Sequence, residues 1–284
     1  MQPVKVLTGS IATITPELAS RFDIDLVPYH VTYAGKTYDD GIDLDYADFH
    51  DFLRTGEGFP STSHPSLGEF KDAFSAAAEK AHTIVYVSIA SVYSKGYSMA
   101  RMAAQELDGL DIEIVDCEAG AGGQTMVALE AARAAAEGSG REAVLGMAAA
   151  AKVRTDVAMT LETMRYLAHG GKIHRASALM GSLLSLKPII AYRDGGTTAI
   201  AKPHTHAQAL SFFAQLMRSE YNQFAGNSIR CSIEDVDNED WANRAEEMVR
   251  AEFPIDRLWR IRTSATVATH VGSGAWGITW YVVP

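Results

Sequence analysis

Eight consecutive residues, Phe59-Pro60-Ser61-Thr62-Ser63-His64-Pro65-Ser66, hold four hydroxyls and one imidazole, three of the hydroxyls and the imidazole between two prolines. Proline fixes φ and keeps the residue before it out of the helical region, so these hydroxyls belong on a stiff, extended loop. Ser66 and Glu69 stand at capping-box spacing, and Phe70, Phe74 and Ala77 then recur with helical period. The loop is expected to feed a helix N-terminus, where free N–H groups and the helix dipole favour an anion. The chemistry this suggests is the grip of a small anionic head group. The plain alternative is a tight turn capped by serine.

Two more polar positions stand in similar settings. Ser94 lies in Ser91-Val92-Tyr93-Ser94-Lys95-Gly96-Tyr97, and His270 precedes Val271-Gly272-Ser273-Gly274. Small residues after a histidine let backbone approach a ligand closely. A hydroxyl and an imidazole can both donate to a carboxylate, and bonds to an ionised acceptor are the stronger kind. Taken alone, His270 reads as a partly buried structural histidine. A Ser–His pair also raises nucleophilic catalysis, as in a hydrolase of a small ester or acyl substrate built on Ser94 and His270. No G-x-S-x-G elbow surrounds Ser94 or Ser63. A binding module for another small anion is a third reading. Of nine histidines only His204 and His206 stand close together, at a helix start where exposure is expected, so no metal site is expected. Neither a Walker A pattern nor the dinucleotide fingerprint occurs (Gly120-Ala121-Gly122-Gly123-Gln124 does not match), and no cofactor is expected.

The elements that must carry these residues alternate. Val4–Leu7, Thr83–Val87 and Ile112–Asp116 read as strands, each followed by a small-residue or polar loop and a helix, a brief one starting at Thr15-Pro16-Glu17 after the first. That rhythm argues for a parallel sheet covered on both faces, with its loops meeting on one edge, where open α/β sheets bind ligands. Asp25–Tyr33 reads as one strand bulged at Pro28, and Ala128–Ala151 as two helices broken at Gly138-Ser139-Gly140. Thr155–Ala168 reads as a third helix stopped by Gly170-Gly171. The second half has another rhythm: a helix over Ala176–Leu186, a hairpin turning at Asp194-Gly195-Gly196, helices over Thr205–Tyr221 and Asp240–Phe253, and strands over Ser228–Ile233, Leu258–Thr263, Val267–His270 and Trp276–Val283. The expected architecture is α/β in two domains: residues 1–154 with a parallel sheet carrying the head-group loops, and residues 155–284, α+β with a mixed sheet.

Composition narrows the function. The chain has 284 residues, 47% of them apolar, and 25 basic against 35 acidic residues give a net charge of −10. That balance disfavours a binder of nucleic-acid backbone. Two distant cysteines, Cys117 and Cys231, form no disulfide framework and no CxxC, which suits a reducing cytoplasm. The N-terminal run lacks the apolar core of a signal peptide, and no stretch of about 18 continuous apolar residues could span a membrane.

Together these segments resemble the DegV family of fatty-acid-binding proteins, in consistent order along the whole chain. Thr8-Gly9-Ser10 is similar to that family's Thr-Asp-Ser, Thr62-Ser63-His64-Pro65-Ser66 to its Thr-Ser-Gln-Pro-Ser, and Ser91–Tyr97 to its Ser-x-Leu-Ser-Gly-Thr-Tyr. Asp116-Cys117 stands for Asp-Ser, Leu167-Ala168-His169-Gly170-Gly171-Lys172-Ile173 for Leu-x-x-Gly-Gly-Arg-Ile, Leu184–Ile189 for Leu-Asn-Ile-Lys-Pro-Ile, and His270–Gly274 for His-x-Gly-Pro-Gly. The resemblance implies a carrier, not a catalyst. It would hold one long-chain fatty acid, with the carboxylate on Thr62, Ser94 and His270 and Ser63 nearby. His270 would be the cation if the bound acid raises its pKa. The resemblance also implies presentation of the acid to a fatty acid kinase. The family arginines associated with that partner or with phosphate are Lys172 and His204 here, and lysine lacks the bidentate fork. Lipid binding therefore carries over better than kinase partnership.

Overall fold

The computed structural model describes residues 2–172, 186–193 and 196–284. Its first half runs β1 (Gln2–Gly9), α1 (Pro16–Arg21), β2 (Ile24–Val27), β3 (His30–Tyr33), β4 (Lys36–Asp39), α2 (Tyr46–Thr55), β5 (Ser61–Ser63), α3 (Leu67–Ala78), β6 (Ala81–Ser88), α4 (Gly96–Gln105), β7 (Asp111–Asp116), α5 (Gly122–Ala136) and α6 (Arg141–Arg154). Strands β2, β1, β6 and β7 form one sheet in that order, every pair parallel. β6 is buried continuously from Thr83 to Ser88, as a parallel strand covered on both faces must be. A smaller antiparallel sheet, β4-β3-β5, stands beside it.

The second half runs β8 (Thr155–Thr160), α7 (Arg165–His169), β9 (Ile189–Arg193), β10 (Gly196–Ala201), α8 (His206–Gln223), β11 (Ser228–Asp235), α9 (Glu239–Glu252), β12 (Ile255–Arg262), α10 (Ala265–Val271) and β13 (Trp276–Val283). Its sheet is mixed, ordered β10-β9-β8-β13-β11-β12, with only β11 and β12 parallel. Helix α5 joins the halves. Thirteen of its residues are buried, so it has no solvent face, the signature of a helix enclosed on all sides. It lies against β1 and β6 on one side and β8 and β13 on the other. A Cβ on Gly122 would collide with Thr279 Oγ1 and Glu234 Oε1, so only glycine allows this approach.

Three expected elements take a different form. Thr155–Thr160 is a strand and not the start of a helix, because it is paired on both sides, by β13 and by β9. Two ladders override the weak helical preference of the segment. Only Arg165–His169 of the expected helix is helical, with Gly170 as its C-cap. Val267–His270 lies inside helix α10, because the Ser264 hydroxyl accepts from Val267 N and nucleates a helix where β-branched residues suggested a strand. Asp25–Tyr33 is two strands in two sheets: proline has no N–H to continue a ladder, and the chain leaves the first sheet at Pro28. The helix expected over Ala176–Leu186, apart from Leu186, and the turn residues Asp194 and Gly195 lie outside the described residues. The two arms of that hairpin, β9 and β10, are antiparallel as expected.

Candidate ligand-binding cavity

The hydroxyl loop is fixed at three points. At its start the Phe59 ring stacks on His169 at 4.4 Å and meets Tyr166 edge-on at 5.4 Å, which ties it to α7. In its middle, β5 pairs with β3, placing Thr62 opposite Val31. At its end Ser66 and Glu69 form the capping box of α3: Glu69 N donates to Ser66 Oγ, and Ser66 N donates to Glu69 Oε2 at 2.7 Å. Glu69 thus supplies its own carboxylate to the α3 N-terminus. The cavity is instead lined by Thr62, Ser63 and His64, upstream of the cap.

Helix α10 brings His270 to the same place. Its first turn is held by Asp40, a buried carboxylate just after β4, which accepts from Ala265 N, Thr266 N, Thr266 Oγ1 and Tyr46 Oη. Its end is held by Gly272, at φ +77°, where a Cβ would strike the Tyr166 ring. Between these anchors His270 Nε2 lies 3.0 Å from Thr62 Oγ1, joining residues 208 apart in sequence. His270 Nδ1 is buried with no hydrogen-bond partner among the described residues, close beside Gly170. Burial, then the nearby Lys172 ammonium, push the His270 pKa down to about 3. The imidazole by itself is therefore neutral at physiological pH, and only a bound acid that raised its pKa would make it a cation. Lys172 also lines the cavity; its Nζ donates to the Tyr93 carbonyl, and burial lowers its pKa.

These groups line a cavity of about 480 Å³. Ser94, at the end of the loop after β6, faces it while its Oγ accepts from Gly96 N at 3.0 Å. Exposed Lys95 stands at the rim. Much of the remaining lining is apolar: Ile11 and Ile89 from the loops of the first sheet, Val157 and Met159 from β8, and Ile190 and Tyr192 from β9. A largely apolar enclosure with a few convergent polar groups is the usual form of a small-molecule site.

Thr62, Ser63, Ser94, Lys172 and His270 thus share one cavity, though three of them come from the first half of the chain and two from the second. His204 does not: it is exposed beside the start of α8, with its backbone N donating to Gln208 Oε1. Ser94 and His270 engage Gly96 and Thr62, not each other. Sequence reasoning missed Asp40, Tyr166 and the aromatic wall of Tyr29, Tyr93 and Tyr192. Tyr93 alone carried a signal, one residue before Ser94 in a strand-end loop. Among the described residues, no group of three or more acidic, histidine or cysteine side chains could hold a metal ion. Cys117 and Cys231 are free and buried. No helix among the described residues is long and apolar enough to cross a membrane.

The same arrangement of elements recurs in known proteins. A Thermus thermophilus DegV family protein, described for its fatty acid binding, superposes with a TM-score of 0.92 at 26% identity, covering 100% of both chains. DegV of Bacillus subtilis, described as a fatty acid binding protein, superposes with a TM-score of 0.90 at 25% identity over 99% of this chain and 100% of that one. A DegV domain-containing protein of Caldanaerobacter subterraneus subsp. tengcongensis is 28% identical over 278 residues, 98% of each chain. The family model described as "Uncharacterised protein, DegV family" matches residues 3–283, and the chain belongs to the DegV family.

Proposed function

We propose that this protein binds a single long-chain fatty acid, its carboxylate at the Thr62–His270 end of the cavity and its tail along the apolar walls. The observation that carries this reading is the make-up of the cavity: hydroxyls, a neutral imidazole and the half-buried Lys172 ammonium share it with a lining that is otherwise largely apolar. Its similarity to DegV proteins described as binding fatty acids supports it. The tail supplies most of the affinity. At about 0.8 kcal/mol per buried CH₂, ~16 carbons contribute on the order of 13 kcal/mol before the costs of ordering are subtracted. The head-group bonds supply orientation. A buried carboxylate needs several donors and a compensating charge, and Thr62, Ser94 and Lys172 offer them. Ser63, more exposed, lies at the edge of this set.

The hydrolase reading fits less well. A general base works best with a pKa near the operating pH, and an imidazole near 3 that is bonded to Thr62 and not to Ser94 is a weak one. The protein acts as a carrier. Presentation of the bound acid to a fatty acid kinase extends the same reading, with His204 the exposed position and Lys172 the interior one. Formation of an acyl phosphate from ATP and the loaded protein, in the presence of a kinase from the same cell, would test that extension.

Native mass spectrometry of the protein as purified tests the binding itself. A mass increment equal to one fatty acid, released by organic solvent, is expected. A ligand-free protein that also takes up no fatty acid on incubation would overturn the proposal.

A further inference from the structure

A second, smaller cavity of about 150 Å³ lies against the first, and two residues, Val157 and Tyr192, line both. Their placement follows from strand register. β8 and β9 are antiparallel, with Met159 opposite Ile190 and Ala158 opposite Ala191. One further step of that register sets Val157 beside Tyr192. Side chains alternate along a strand, so Met159 and Val157 share a face, as do Ile190 and Tyr192. All four line the large cavity, making a floor that runs along the strand pair and finishes at Val157 and Tyr192. Beyond that pair the character changes. The small cavity is lined by Asp156 and Arg193, which are ion-paired, by Lys152, ion-paired to Glu118, and by Thr155, whose buried hydroxyl has no partner among the described residues.

Tyr192 is fixed from two sides. Its ring meets Tyr93 edge-on, with centroids 4.9 Å apart and an interplanar angle of 89°. Its hydroxyl sits against Gly120, where a Cβ would lie only 2.7 Å away. The ring therefore has little room to swing aside and acts as a rigid partition between an apolar compartment and a polar one.

We propose that Tyr192, backed by Val157, is the end wall of the acyl channel and sets the longest chain that this protein accepts. This rests on the fatty-acid reading of the large cavity. A methyl-ended chain that reached the partition would otherwise have to enter the ion-paired compartment, where it would strip water from charged groups without replacing their bonds. Replacing Tyr192 by a small residue joins the two spaces.

The test is competition binding of saturated acids of increasing length to the full chain, wild type, Tyr192→Ala, Tyr192→Leu and Tyr192→Phe, with thermal melting to show that each variant folds. Wild-type affinity is expected to rise with length and then fall at least tenfold beyond a cut-off. Tyr192→Phe should keep that cut-off, and Tyr192→Ala should move it to longer acids by two carbons or more. Tyr192→Leu keeps an apolar side chain on β9 and should shift the cut-off in the same direction if the alanine variant does not fold. An unmoved cut-off in a folded, acid-binding small-residue variant would overturn the assignment. So would wild-type affinity that keeps rising through the longest soluble acids, a result that needs no variant. A wild-type protein that binds no fatty acid of any length would instead overturn the underlying reading.

Discussion

Thr62 and His270 are the residues on which the head-group site turns. They are 208 positions apart in sequence and 3.0 Å apart in space. Removing the Thr62 or the Ser94 hydroxyl should weaken fatty-acid binding about tenfold, the scale of one hydrogen bond to an ionised group, and leave the melting temperature almost unchanged. Displacement of a fluorescent fatty acid measures this, and full lipid occupancy in both alanine variants would remove the head-group assignment. Lys172 adds a pH dependence whose sign is fixed. Burial lowers its pKa, and a bound carboxylate would raise it again. The ion pair therefore contributes fully below the pKa of the free amine and is lost as pH rises through that of the complex. Affinity should fall on the alkaline side, and Lys172→Met should bind more weakly at neutral pH with that alkaline dependence gone. An unchanged profile in Lys172→Met would count against the pairing. The hydroxyls were legible in the sequence because prolines and a capping box mark their loop. The charge state of His270 was not, since it depends on burial and on a lysine almost a hundred positions away.

At the level of elements, local chemistry decided what could be read. The capping box of α3, the Gly-rich break between α5 and α6 and the β9–β10 hairpin all follow from residues within a few positions of each other. Elements defined by distant partners were misread. Thr155–Thr160 is a strand only because β13 and β9 flank it, and α10 joins its local Ser264 cap to a distant anchor, Asp40, which holds its first turn. Asp40 is 1% exposed and accepts four hydrogen bonds, three of them from Ala265 and Thr266. Asp40→Ala would leave buried donors unsatisfied, at a cost of roughly 1–3 kcal/mol for each one that finds no water. The expected result is a clearly lower denaturation midpoint together with weaker fatty-acid binding, because α10 carries His270. A variant with wild-type stability and binding would show that α10 holds its position without this carboxylate.

Across the whole molecule the two larger sheets meet around α5, and the polar groups at that junction make stability depend on pH. Glu234 is buried, hydrogen-bonded among the described residues only to hydroxyls (Thr13, Ser232 and Thr279), and burial pushes its pKa up to about 7 from an ordinary 4.5. The folded state holds this proton more tightly than the unfolded chain does. The stabilisation is complete below the unfolded pKa and is lost as pH rises towards 7, on the order of 3 kcal/mol at 1.36 kcal/mol per pKa unit. Thermal melts should show Glu234→Gln losing less stability than the wild type between pH 5 and pH 8; parallel curves would refute this. The order of strands and helices was legible because parallel sheets impose their alternation on the sequence. The enclosure of α5 was visible only as an excess of alanine. That enclosure has a kinetic consequence. A helix wedged between both sheets, with Gln124 bonded to Thr8 and the Val87 carbonyl on one side and Gly122 against Thr279 on the other, leaves no hinge for a clamshell. A lipid would then exchange without the two sheets parting, so a disulfide stitched from α5 to β13 should leave its exchange rate as it was.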